Sequence, residues 1–571
     1  MEYITHDTAN KKRIKILMLV ALGLLTVKYI FVDFGIDAEF QIIMSYRMAM
    51  GDSLFSQMWE PCQTSAFLGA FFIKLYLYFF HTTTGLVLYM QLIGFLLDFC
   101  VSAILYRTVK KHLDAPDTAF FMAWIYLLVS PKDFPTADYA NMQVWFSTLA
   151  CIMLFLYFKT SKNKFIICTA IFLCGAVLSY PSSLLICFAV AILLLLKKQY
   201  KATALLTGVC FLIGGIYLGY IFLQVSPSDF LKNVSYMLSI ETAHSTGIAE
   251  KTLNYLKDFG LISVTFFISY LCSFGIIRLV SLKRMHDKEQ MKTLTDLLFL
   301  FIVACISLYT VLAWETHVRY NYSLCFLALI IIGAKYTGKL NKAEFEFWLS
   351  AMVIAGAQLL ATLLLTNLVF IASVPYLLLA VAASFIPLSK ALATLNGPKI
   401  ICTVRNIVVL FFIGMLIFRN AYIIRPMYGD VKNIFTIAGI VKSGPAIGII
   451  SEYMGPYVQN ESIKEWDQYV KDGQNIYLLG TGLDTLGYLY KNTGISAPSV
   501  VPTPGYSEAI GEYWKNNPEK YPDMIIASCL YGELNGDLTS DTWIMQWLEN
   551  EFQPDYYIDG KYWRYYIKEV D

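Results

Sequence analysis

The sequence predicts an all-α polytopic membrane protein with a soluble α/β domain at its C-terminal end, and three observations predict it. Apolar residues make up 57% of the 571-residue chain and charged residues only 15%, with a mean hydropathy of +0.55. Soluble domains carry about 45–50% and about 25%. The apolar residues gather into runs long enough to cross a bilayer as far as Phe418, and the long runs stop there. The charge divides at the same place. The total of 44 Lys/Arg against 42 Asp/Glu hides an acidic segment, 420–571, with 11 basic and 20 acidic groups, and a basic body, 1–419, with 33 and 22. A cytosolic enzyme, a secreted disulfide scaffold and a disordered regulator are excluded, and nothing points to nucleic acid.

A helix of about 20 apolar residues spans the hydrocarbon core. Candidate spans are 14–32, 85–106, 118–130, 142–158, 165–180, 182–196, 202–224, 259–282, 294–314, 323–336, 347–366, 368–388 and 399–418, about 13 in all. The first follows Lys11-Lys12-Arg13 without a small-residue cleavage site after it, which is the pattern of an uncleaved signal anchor. The run 65–80 is apolar but short and carries Lys74. Orientation decides its place, because short cytoplasmic loops are rich in Lys and Arg. If 65–80 does not cross, one set of loops holds 22 basic groups and the other only 7 before residue 420. If it crosses, the asymmetry collapses. The reading is therefore an amphipathic or re-entrant helix at the outer interface. The N-terminus lies in the cytoplasm and 420–571 outside, in a multi-pass protein of the cell membrane.

That topology collects the long polar loops on the outer face, where function usually sits. The first outer loop, 33–64, holds Asp33, Asp37, Glu39, Asp52 and Glu60 against a single Arg47. Asp138 stands in the second, and His317, Arg319 and Tyr320 follow a later span. Asp37 and Glu39, two residues apart on what reads as irregular backbone beyond the first helix, can converge on one small site. A partly desolvated carboxylate there can take a proton from an acceptor hydroxyl. Carboxylates can also hold a divalent cation against a phosphate leaving group. The plainer alternative is a solvated loop.

Taken in order, Asp37-x-Glu39, Tyr46-Arg47, Gly51-Asp52, Trp59-Glu60-Pro61-x-Gln63-Thr64-Ser65, the interfacial run 65–80 and His317-x-Arg319-Tyr320 resemble the GT-C class of membrane glycosyltransferases. The likeness is greatest to the protein O-mannosyltransferase and lipid A aminoarabinose transferase group, bacterial-type enzymes that use dolichyl- or polyprenyl-phosphate sugars. It covers the first 110 residues well, the helices to 418 loosely and the tail hardly. Two departures stand out: Ala38 splits the family's adjacent Asp-Glu, and its Pro-Pro before the interfacial helix is absent. The resemblance implies a catalytic module over 1–419, with 33–84 as its first outer loop and interfacial helix, and an extracytoplasmic domain over 420–571. It implies an inverting transfer of a hexosyl or pentosyl group from a polyprenyl-phosphate donor to a lipid-linked, glycan or protein acceptor of the cell envelope. Asp37 would be the base and Glu39 would orient that base or bind the acceptor, although either carboxylate can fill the base's role. Arg319, with Tyr320 and His317, would meet the donor phosphate, and Arg47, Glu60, Gln63 and Asp138 are acceptor-side candidates. No cofactor or metal is assigned.

Beyond 420, the runs 446–450, 475–479 and 524–527 read as buried strands, and Tyr556–Trp563 reads as a hairpin about Asp559-Gly560. Gly480-Thr481-Gly482 lacks the rest of a dinucleotide fingerprint and reads as a packing turn. The rival reading is a transporter or flippase, or a polymerase of lipid-linked saccharides. Its best feature is Asp98, an acid in mid-span.

Overall fold

The computed structural model of the chain describes residues 2–568 except 61, 131–133, 243–246, 282–287, 314–317, 367, 369, 396–398, 426–431, 481–484, 501–508, 531–532, 535–537 and 539–541. The side chains of 2–11, 239–242, 248, 280–281, 318–322, 399–400 and 530 are likewise outside the description. The body is a bundle of helices: α1 (Glu2–Phe31), α2 (Ile36–Met50), α3 (Ala66–Phe80), α4 (Leu86–Leu113), α5 (Pro116–Leu128), α6 (Tyr139–Thr160), α7 (Asn163–Ser179), α8 (Leu184–Leu196) and α9 (Tyr200–Phe222). It continues through α10 (Pro227–Thr242), α11 (Ile248–Ser281), α12 (Lys288–Ala313), α13 (Val318–Lys335), α14 (Lys342–Leu365), the short α15 (Phe370–Ser373), α16 (Leu378–Ala393) and α17 (Lys399–Tyr422). Ten helical segments among the described residues are long and apolar enough to cross a membrane. Each of the thirteen expected spans is occupied by a helix, several of them shorter than the bilayer needs.

Gln63–Phe80 is among the ten by length and composition, yet both its ends meet the C-terminal domain. At its start, the Trp59 amide donates to Pro498 O at 2.8 Å. Past its end, the Gly85 amide donates to Gly444 O at 3.1 Å and the Val87 amide to Pro445 O at 3.0 Å. A helix of 15 residues, α3 is only about 22 Å long. Its Phe71, Tyr78, Phe79 and Phe80 point outward.

The same contacts sort the ends of the bundle. The tail sits on one face with the ends of α1 and α17, the start of α4, and α10, whose Asn233 donates to Phe55 O at 2.7 Å. The basic loops gather on the opposite face, where Lys15–Asp117, Lys197–Glu346, Lys335–Asp296 and Lys390–Glu344 tie helix ends together.

In the tail, β1 (Ile423–Ile424) pairs with β2 (Lys432–Asn433), and β3 (Ile437–Ile440) with β4 (Ile450–Glu452). After α18 (Met454–Tyr469), the main sheet is built from β5 (Asn475–Leu479), β6 (Gly494–Ile495), β7 (Met524–Leu530), β8 (Glu533–Leu534), β9 (Tyr556–Asp559) and β10 (Trp563–Ile567). Its order is β6-β5-β7-β10-β9, with β8 paired to β7. β5, β6 and β7 run parallel, while β9 and β10 form the expected hairpin. Helices α19 (Ala509–Asn516) and α20 (Trp543–Trp547) cover it. One expected strand differs. Residues 446–448 are a turn closed by Gly448 at φ +86°, and strand begins only at Ile450. The apolar run there packs against the start of α4, which spends its buried side chains without a sheet.

Candidate active site

The first outer loop is folded more than its sequence suggested. Residues 36–50 form α2, with Asp37 and Glu39 in its first turn, where the positive end of the helix dipole favours carboxylates. At about 100° per residue, side chains two apart diverge by about 200°. The convergence expected of irregular backbone is therefore replaced by two carboxylates on different sides of one helix. Glu39 is buried and faces the tail: the Thr485 hydroxyl and the Leu486 amide (3.0 Å) both donate to its Oε1. Asp37 is half-buried on the other side. The second outer loop closes on this turn through Phe134, whose ring lies so near Gly35 that a Cβ there would sit 2.4 Å from it. Gly51 ends the helix at φ +112°, a left-handed conformation that suits glycine.

Arg47, at the far end of α2, is fully buried. Its Nε donates to Asp52 Oδ2 at 2.8 Å, Nη1 to Glu60 Oε1 at 3.1 Å and to Pro498 O at 3.4 Å, and Nη2 to Gln57 O and to the Tyr513 hydroxyl. The Val500 amide donates to the same Glu60 oxygen at 3.0 Å, and Lys520 reaches Asp52 Oδ1. Burial raises the Glu60 carboxyl above its usual range even with Arg47 beside it, and pushes the Tyr46 hydroxyl up to about 12. Burial works against the Arg47 charge, but Glu60, Tyr513 and Asp52 hold it. Gln63 caps this corner by accepting the Phe55 amide at 2.9 Å.

Arg47 and Glu60 thus come together, with the Gln63 backbone amide donating to the Glu60 carbonyl at 3.1 Å, while Glu39 meets a separate segment of the tail. Asp138 stands apart as the N-cap of α6, accepting the Asn141 amide at 2.7 Å. Arg319 and Tyr320 lie in the first turn of α13, with side chains outside the described residues, and His317 lies outside them altogether. The neighbouring end of α12 packs through Val311 on Ile423, whose carbonyl takes a hydrogen bond from Lys28 of α1. Asp98 accepts a hydrogen bond from Trp145 Nε1 at 2.8 Å inside the bundle. Among the described residues no group of three or more His, Cys, Asp or Glu could hold a metal ion.

Two features escaped sequence reasoning. The tail's partners here follow the carboxyl ends of β5 (Thr485 and Leu486, which open the 3-10 helix Thr485–Leu489) and β6 (Pro498, Val500). That is the edge at which parallel α/β sheets bind their ligands. Most of these partners are backbone groups, which side-chain chemistry does not announce. The other is Asp33, two residues beyond the end of α1. It is fully buried at φ +60°, with its amide donating to Ile450 O at 3.0 Å and its carbonyl accepting Gln91 Nε2 at 2.8 Å. Neither carboxylate oxygen makes a well-aligned hydrogen bond. Desolvation raises its pKa to about 7, partly offset by the nearby Ser451 hydroxyl and Lys28.

No family model and no curated protein matches the chain. Among solved structures it is similar to the archaeal oligosaccharyltransferase AglB from Archaeoglobus fulgidus, in complex with an inhibitory peptide and a dolichol-phosphate. The identity is 13% and the TM-score 0.43, with 91% of this chain and 70% of that one covered.

Proposed function

We propose that the chain is an inverting membrane glycosyltransferase of GT-C type, moving a sugar from a polyprenyl-phosphate donor to an acceptor hydroxyl at the tail face. In this reading it crosses the membrane thirteen times, with its N-terminus cytoplasmic and its tail outside. The observation that carries it is the first turn of α2: a half-buried Asp37 beyond the end of α1, beside a Glu39 that fastens the helix beneath the strand-end loops of the tail. The order of outer-loop motifs supplies the chemistry. Asp37 removes the acceptor proton, the acceptor oxygen attacks the anomeric carbon from the face opposite the phosphate, and the carbon–oxygen bond to phosphate breaks. The phosphate leaves with the bonding electron pair, and the proton ends on Asp37. Arg319, with Tyr320 and His317, meets the phosphate charge; a planar guanidinium that never loses its own charge suits that role. Glu39 orients the base by fixing α2 under the tail, while Arg47, Glu60 and Gln63 hold the floor on the acceptor side. The Asp98–Trp145 hydrogen bond supports a packing role for the acid that transport would need.

The test is turnover in membranes with labelled polyprenyl-phosphate sugars. Asp37→Asn should lower it by about 10²–10⁴-fold, and Glu39→Gln by less. Full activity in both variants sinks the assignment.

A further inference from the structure

At the tail face α1 and α17 are stitched together: Lys28 donates to the Asn420 and Ile423 carbonyls, and the Tyr29 hydroxyl to Asn420 Oδ1 at 2.6 Å. Toward the basic face they part and open a cleft. Its outer chamber, of about 1210 Å³, lies between Ile14 and Lys15 of α1, Asp117 of α5, Leu392 of α16, and Arg405 and Val409 of α17. Asp117, Phe121, Ser389, Leu392 and Val409 are shared with an inner chamber of about 820 Å³, walled by Trp124, Leu300, Phe385 and Phe412.

We propose that this cleft holds one anionic diacyl phospholipid of the leaflet on the basic face, an acyl chain in the inner chamber and the headgroup phosphate at Arg405 and Lys15. The polar side chains fit that division. The inner walls are aromatic and aliphatic apart from Asp117, Thr118 and Ser389, whereas the cations Lys15 and Arg405 line only the outer chamber. Among the described residues lining that chamber, the cations are Lys15, paired with Asp117 at 2.5 Å, and Arg405, which donates to Asn406 Oδ1 at 3.2 Å. Cations on long apolar stems at a helix end are suited to anionic headgroups. Depth argues for an acyl chain over a polyisoprenoid. The inner chamber follows α5 from Asp117 to Ile125, which is about 12 Å of helix in a core about 30 Å thick. The site is remote from the outer-loop acids and stands whether or not the transferase reading holds.

The test uses the full chain in phosphatidylcholine nanodiscs doped with phosphatidylglycerol, and native mass spectrometry of what is released. The wild type should retain one phosphatidylglycerol after other lipids are stripped. Arg405→Glu, a change at the rim, should reduce that retention roughly 10-fold or more, and Leu392→Trp, which narrows the passage between the chambers, should do the same. Unfolding in phosphatidylcholine alone checks that each variant is folded; if Leu392→Trp is not, Arg405→Glu decides by itself. Equal retention of phosphatidylcholine, retention unchanged by Arg405→Glu, or stoichiometric displacement by polyprenyl phosphate would each overturn the assignment.

Discussion

The two faces of the bundle are held by charges of opposite kinds. On the tail face the ionic groups are buried and bonded several times over: Arg47 meets Asp52, Glu60, Gln57, Pro498 and Tyr513 at once. On the basic face Lys15–Asp117 and Lys197–Glu346 are single, part-exposed pairs, although Asp296 and Glu344 are buried and bonded more than once, and there α1 and α17 fall open. Buried charges are costly unless their geometry is fixed, so the tail face is where the fold holds side chains in one arrangement. That is a requirement of catalysis. A loosely paired rim around an apolar cleft suits lipid instead.

The sharpest way to break this contrast is Arg47→Met. It fills a similar volume but leaves Glu60 buried without its counter-charge. Removing one partner of such a cluster costs about 3–5 kcal/mol. The loss should appear as a lower unfolding temperature and as faster hydrogen exchange at the Trp59 and Val500 amides, which bridge loop and tail. Adding Glu60→Gln should recover part of it. A cost below about 1 kcal/mol would mean that this seam is as loosely held as the opposite rim.

How much of this was legible in the sequence follows from range. The helices were legible because hydropathy is local, and so was the basic face, because loop charge reports topology directly. The segments flanking α3 both meet the C-terminal domain, while Gln63–Phe80 is by length and composition also among the helices able to cross. The hairpin about Gly560 was equally local. What failed was set at long range. Residues 446–448 are apolar and read as strand, but their burial comes from α4, some 360 residues earlier. Asp37 and Glu39 were read as converging because acids after a span suggest loop, whereas acids in a first turn also start helices. Arg47 and Glu60 carried a signal as charges inside apolar surroundings. Their partners Pro498 and Val500 carried none, since any residue offers a carbonyl or an amide.

Asp33 gives the next largest effect and a distinct pH signature. Burial raises its pKa from 3.8 to about 7. Between about pH 4 and pH 7 the folded chain therefore holds a proton that the unfolded chain has released. Stability from this group is greatest below pH 4, falls as pH rises through that window, and is flat above pH 7. This is the reverse of an ion-paired aspartate. Asp33→Asn keeps the shape and tolerates the positive φ. It should stabilise the junction of α1 and β4 at pH 8 by roughly 1–4 kcal/mol and flatten the slope between pH 4 and 7. Unfolding curves at several pH values read both quantities. An unchanged slope in the variant would show that Asp33 is ionised in the folded protein.

The smallest effect belongs to the basic face. Lys197 stands 3.7 Å from Glu346 and 4.2 Å from the centre of the Phe158 ring, with about a quarter of its side chain exposed. A single part-exposed pair at that distance contributes about 0–1 kcal/mol and is screened by salt. Lys197→Gln should therefore change the unfolding temperature by little at low ionic strength and by still less at high salt. Arg47→Met should cost the same in both, because the tail-face cluster excludes the ions that screen. If the Lys197 variant loses as much stability as the Arg47 variant, and loses it independently of salt, the two faces are built alike. The positive charges opposite the tail would then be structural, and their value as a record of membrane orientation would fall with it.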